Sequence, residues 1–139
     1  MTVETEPTIQ DITNGLERRL ATIADLRTYA VEPDKPNFPC AYPRLVDWTY
    51  DDAMYPSTTI WHFDVWVLVG IEPRFGRAQT ELNDYLSPSG SRSIKCVIEG
   101  DPSLGMSVQA RVTGGGAYGR VDIAGITALG ASVRVEVFT

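Results

Sequence analysis

The sequence predicts an α+β domain, with a mixed, largely antiparallel sheet and helices mainly on one face. Three observations predict it. Thr59–Gly70 is the longest apolar run and is dense in β-branched and aromatic residues. Residues 8–24 and 74–86 instead repeat apolar side chains at spacings of three and four. The last third alternates apolar and polar residues, as half-buried strands do.

Thr59–Gly70 is the expected spine. Trp61, Phe63, Val65, Val67 and Val69 share one strand face, which is wholly apolar. Ile60, His62, Asp64, Trp66 and Leu68 share the other, polar at its start and apolar at its end. That pattern suits a central strand with one covered face and one partly covered face.

The remaining elements follow in order. Residues 1–7 read as a flexible acidic leader, and 8–139 as a single domain. Ile9, Ile12, Leu16, Leu20 and Ile23 mark an amphipathic helix to about Ala24, weakened by Gly15 by roughly 1 kcal/mol relative to Ala. A short strand is expected at Arg27–Val31. Pro33, Pro36, Pro39 and Pro43 then forbid a helix and impose an extended connector. Ala41–Thr49 reads as a strand, an edge one given Pro43. It forms a hairpin with the spine through a long polar tip. A second helix is expected at Arg74–Leu86, with Phe75, Ala78, Leu82, Tyr85 and Leu86 inward. A short third one follows at about Ser91–Glu99, capped by Ser89 or Ser91 and closed by Gly100. Val108–Thr113, Tyr118–Ile123 and Ile126–Phe138 read as strands, with Gly114–Gly116 and Ala124–Gly125 as turns.

With 139 residues, 43 % apolar and 22 % charged, the chain has enough material for a core without disulfide staples. Cys40 and Cys96 match no metal or redox spacing, so both are expected as free thiols in a reducing compartment. No apolar run is long enough to span a membrane, and the acidic start has no signal-peptide core. The net charge is −6, carried mostly by residues 1–52, and no basic stripe is visible. Adhesive binding to nucleic acid or to an anionic membrane is therefore not expected.

Gly114, Gly116 and Gly119 satisfy Gly-x-Gly-x-x-Gly. A dinucleotide loop needs a helix N-terminus after it to bind the pyrophosphate, whereas strand-like sequence flanks this run, so a hairpin tip is expected. His62 and Asp64 lie two residues apart on one strand face. A base with its orienting acid would look like this, but the chain holds one histidine and no nucleophile motif, so a structural His–Asp pair is the expected reading. Asp51 and Asp52 read as a solvated loop rather than a metal site. Trp48, Tyr50, Tyr55, Trp61 and Trp66 crowd the hairpin. The tryptophans are expected mostly in the core, and the two loop tyrosines are equally suited to anchoring a partner.

From the second helix onward the chain reads Gly76-Arg77-Ala78-Gln79-x-x-Leu82-x-x-Tyr85-Leu86-Ser87-Pro88-Ser89-Gly90, then Ser93-Ile94-Lys95. Leu104-Gly105, Tyr118-Gly119, Ile123-x-Gly125 and a closing Val133-x-Val135-x-Val137 follow. This ordered set resembles the tail terminator proteins, often labelled minor tail proteins, of long-tailed phages of actinobacteria, over most of residues 8–139. The resemblance implies a structural virion protein, without catalysis, cofactor or metal. It implies a six-membered ring that caps the tail tube at the head-proximal end, after assembly in the host cytoplasm. Implied partners are other copies of the chain, the major tail tube protein and the head–tail connector or stopper protein, with DNA only passing through the lumen. Candidate assembly contacts are Tyr50, Asp51, Asp52 and Tyr55 at the hairpin tip, and Gly114, Gly115, Gly116 and Tyr118 at the Gly-rich turn. Two other readings stay open: another joining or completion protein of the same region, and a small-molecule-binding domain or enzyme using His62 and Asp64.

Overall fold

The computed structural model describes residues 7–50, 59–71 and 75–139. The fold is α+β, with three helices and one five-stranded sheet. Helix α1 (Ile9–Leu20) is followed by strands β1 (Arg27–Thr28), β2 (Cys40–Tyr50) and β3 (Thr59–Gly70). Helices α2 (Phe75–Leu86) and α3 (Ile94–Glu99) precede β4 (Gln109–Ile123) and β5 (Ile126–Phe138). The strand order is β1-β2-β3-β5-β4, and every pairing is antiparallel except β1 with β2. None of these helices is long and apolar enough to cross a membrane.

Helix α1 starts on a capping box. The Asp11 N–H donates to Thr8 Oγ1 at 3.1 Å, and the Thr8 N–H donates to Asp11 Oδ2 at 3.0 Å, so two of the orphan donors of the first turn are satisfied. Ile12, Leu16 and Leu20 stack on one side and are fully buried. The helix stops at Leu20, short of the expected Ala24. The chain turns through Asp25, whose φ of 62° lies in the left-handed region that Asp tolerates. Ile23 and Leu26 still reach the core from that turn, which is why the helical spacing runs past the helix end. Gly15 earns its place by contact. An added Cβ would lie 2.9 Å from Met106 Cε and 3.0 Å from Leu104 Cβ, so only glycine lets the 101–107 loop pack on α1.

The spine is central, as its pattern requires. Phe63, Val65, Val67 and Val69 of β3 have no exposed surface, and β5 lays Leu129, Ala131, Val133, Val135 and Val137 beside them. All three helices cover this one face, and their residues join a single core. Truncating Phe63 to Ala would cost about 3–5 kcal/mol. The opposite face is covered at one end only. There Tyr29 and Phe38 of the Pro-rich connector pack with Cys40, Tyr42, Trp66 and Leu68. The other end, with His62 and Asp64, is wet.

Three expectations need correction. The strand expected at Arg27–Val31 is only two residues long, because the chain leaves the sheet into the connector. The cap of α3 is Ser93, not Ser89 or Ser91: its Oγ accepts from the Cys96 N–H at 3.2 Å. Most consequentially, Gly114–Gly116 is not a turn. One long strand, β4, runs through it and pairs with β5 along its length, so two strands replace the expected three. The Ala124–Gly125 turn does form, with φ of 51° and 78°, the positive pair that suits a two-residue hairpin.

Candidate functional site

Among the described residues, the sequence-nominated Tyr50 and the Gly114–Tyr118 group fall at opposite sides of the sheet. Tyr50 ends β2 and is 64 % exposed. Asp51, Asp52 and Tyr55 lie outside the described residues. Gly114, Gly115, Gly116 and Tyr118 lie in β4, at the far edge. The fold does not bring Tyr50 to the glycine run within one chain.

At the β4 edge, two register shifts break the ladder with β5, one between Val112 and Gly114 and one between Gly116 and Gly119. The strand bulges there, and glycine makes it possible. A Cβ on Gly115 would lie 2.4 Å from the Ser132 carbonyl oxygen, whereas Gly114 and Gly116 have open space. Ala117 adopts a φ of 54°, and the extra residues swing Tyr118 toward α2. The Tyr118 hydroxyl donates to Asn83 Oδ1 at 3.0 Å. Between this strand and the helices lies a cavity of about 340 Å³, lined mainly by Tyr85, Leu86, Pro88, Val112, Ala131 and Val133 with the glycine run. Among the described residues Lys95 is its only charged lining residue, and it pairs with Glu99. Tyr85 is 1 % exposed, and its hydroxyl has no hydrogen-bond partner among the described groups. Burial pushes its phenol up from the ordinary value, helped by the nearby Glu81 carboxylate.

At the β2 end, Trp48, Tyr50 and Trp61 form an aromatic cluster with ring centroids 6.0–6.4 Å apart. Trp48 faces Trp61 and Tyr50 faces Thr59, so both side chains leave the same sheet face as the helices. Trp48 remains 45 % exposed.

The wet face carries the expected His62 and Asp64, but they do not pair with each other. His62 Nδ1 lies 3.3 Å from Asp47 Oδ1, and Arg134 Nε donates to Asp64 Oδ1 at 3.2 Å. Directly opposed residues on adjacent strands sit closer than residues two apart along one strand, so cross-strand partners win. Two rows cross the sheet. Asp47, His62, Glu136 and Arg111 form one, and Arg44, Asp64, Arg134 and Gly114 form the next. Acids alternate with bases along both rows, and the fixed charges cancel. No group of three or more His, Cys, Asp or Glu side chains able to hold a metal occurs among the described residues.

Both cysteines are free, Cys40 buried and Cys96 exposed. Burial pushes the Cys40 thiol up to about 11, which leaves it inert.

The cavity, the bulge that shapes it and the open sheet edges escape a reading of the sequence. The one available signal was the glycine run inside an alternating pattern, which marks a bulge as readily as a turn.

No protein-family model matches the chain, and no curated protein matches it.

Proposed function

We propose that the chain is a structural subunit of a phage tail, a tail terminator that rings the head-proximal end of the tail tube and joins it to the head connector. The ordered motif set of residues 76–137 carries this reading. Its physical support is a small, well-packed domain whose distinctive surfaces suit assembly. Large aromatic side chains stand exposed at one end of β2, where aromatics commonly anchor partners. Outside its two-residue pairing with β1, β2 has no strand on its outer edge among the described residues, and β4 ends the sheet on the other side, where its Ala110 and Val112 N–H groups donate to the Pro102 carbonyl at 2.7 Å and to Glu99 Oε2 at 3.4 Å. An open edge offers backbone groups on which another chain can pair. The wet face favours structure over chemistry, because His62 and Asp64 are each engaged by a different cross-strand partner.

The charge supports passage of DNA rather than adhesion. Six copies at −6 each would carry about −36, and an acidic ring repels the phosphate backbone. Low-resolution imaging of the assembled particle, with this chain located by a tag or antibody, tests the reading. Density at the junction of tail tube and head connector is expected. A position at the tail tip or within the capsid shell would overturn it, and a neighbouring layer of the head–tail junction would assign the chain to another joining protein.

A further inference from the structure

We propose that the fold guards both edges of its sheet against strand addition, through Pro43 on β2 and the Glu99–Pro102 segment beside β4, so that free copies of the chain do not join edge to edge. The proposal concerns the free chain and does not rest on the tail reading.

The guard on β2 follows from the direction of its backbone. The Tyr29 N–H donates to the Ala41 carbonyl at 3.0 Å, so the Ala41 backbone groups face the outer side of the sheet. Successive residues of a strand turn these groups to opposite sides, so those of Pro43 face outward again. Proline brings no N–H there, which costs nothing in the pairing with β3 and withholds a donor from an arriving strand. β1 already occupies the stretch before it, at Cys40 and Ala41. The register shift between Leu45 and Asp47 bulges the stretch after it. On β4 the guard is a cover. The outward Ala110 and Val112 N–H groups donate to the Pro102 carbonyl at 2.7 Å and to Glu99 Oε2 at 3.4 Å, and Lys95 pairs with that carboxylate. The end of α3 and the loop after it therefore lie where a new strand would run.

The two guards are matched across the sheet. β2 and β4 run in opposite directions, so copies repeated side by side in one orientation would meet edge to edge in the antiparallel sense. Strand pairing carries Asp47 through His62 and Glu136 to the level of Arg111, and Cys40 through Leu68 and Gly130 to the level of Gly119. The half of β2 beyond its bulge would thus meet the covered start of β4. The far half of β4 would meet Cys40 and Ala41, which β1 covers. A β2-to-β4 contact is heterologous, and it extends without end unless the rotation closes. Blocking its level register denies the free chain that route. A neighbour that pairs at an edge must slide along the strand or displace the Glu99–Pro102 segment.

The test compares the full-length wild type with Pro43→Val, which restores an outward N–H, and with Glu99→Ala, which frees the Val112 N–H. Urea unfolding first checks that each variant folds. The two changes touch different elements, so misfolding of one leaves the other to decide. In sedimentation over rising concentration, each folded variant should self-associate about 2- to 10-fold more tightly than wild type, the gain for one hydrogen bond. Adding Val46→Lys to either should return it to wild-type behaviour, because a lysine on the edge opposes strand addition. A folded variant that associates no more than wild type overturns the proposal, and so does association that Val46→Lys leaves unchanged. Open-ended growth of the wild type, with species size rising steadily with concentration, would overturn it as well.

Discussion

Asp64 and Arg134 face each other across the central strands, with Arg134 Nε donating to Asp64 Oδ1 at 3.2 Å. The Asp64 side chain is 18 % exposed and that of Arg134 is 41 % exposed. Solvent therefore screens the pair, and its net worth is about 0.2–1 kcal/mol. A double-mutant cycle of Asp64→Ala and Arg134→Ala in urea unfolding should give a coupling energy in that range, shrinking as salt is raised. A coupling several times larger would mean that this face is dry in solution and already covered.

The glycine run offers a comparison within one strand. Gly115→Ala places a methyl 2.4 Å from the Ser132 carbonyl oxygen, and backbone cannot yield as a side-chain tip can. A loss of about 1–3 kcal/mol is expected, with a lower midpoint in denaturant. Gly116→Ala meets nothing within 4 Å and should shift stability by about 0.5 kcal/mol or less. Equal effects at the two positions would show that the bulge is absent in solution.

At Gly15, propensity and packing oppose each other. Alanine gains about 1 kcal/mol in a helix interior. Its Cβ would stand 2.9 Å from Met106 Cε and 3.2 Å from the Leu104 carbonyl oxygen, and such overpacking costs about 1–3 kcal/mol. Packing should win, so Gly15→Ala lowers the melting temperature. A rise would show that the 101–107 loop stands off the helix.

What the sequence discloses depends on how local each signal is. The two faces of β3 are legible because their alternation is sustained over the whole strand, and α2 because its apolar stripe repeats. The wet His62–Asp64 face is legible for the same reason, but its partners are not. Asp47 and Arg134 reach these residues only through strand pairing, which periodicity does not encode. The insertion of β5 between β3 and β4 is likewise non-local, and it makes β4 an edge. Without that, Gly114–Gly116 reads as a turn by local preference, and the pairing offered by β5 overrides it. The α3 cap is a closer contest. Ser89 and Ser91 are the caps expected from the sequence, whereas Ser93 is the one whose Oγ accepts from the Cys96 N–H.

Acid titration of Glu99 gives a pH-dependent prediction. A hydrogen bond from Lys95, one turn earlier in α3, holds its carboxyl below the ordinary carboxylate range. Partial burial opposes that shift, and a hydrogen bond from the Val112 N–H at 3.4 Å assists it. Because the folded pKa is depressed, the ionised form stabilises the fold above the unfolded carboxylate pKa. That contribution is lost as pH falls through the lower, folded value. Glu99→Gln should therefore be less stable than wild type at neutral pH. The gap should narrow as pH drops through the carboxylate range and close below it. The side chain is 32 % exposed, so the effect is small, and added salt should reduce it. Urea unfolding of both proteins from neutral to acidic pH would measure the gap. A gap that widened toward low pH would reverse the sign of the linkage and show that Glu99 is stabilised in its protonated form, which the Lys95 contact forbids.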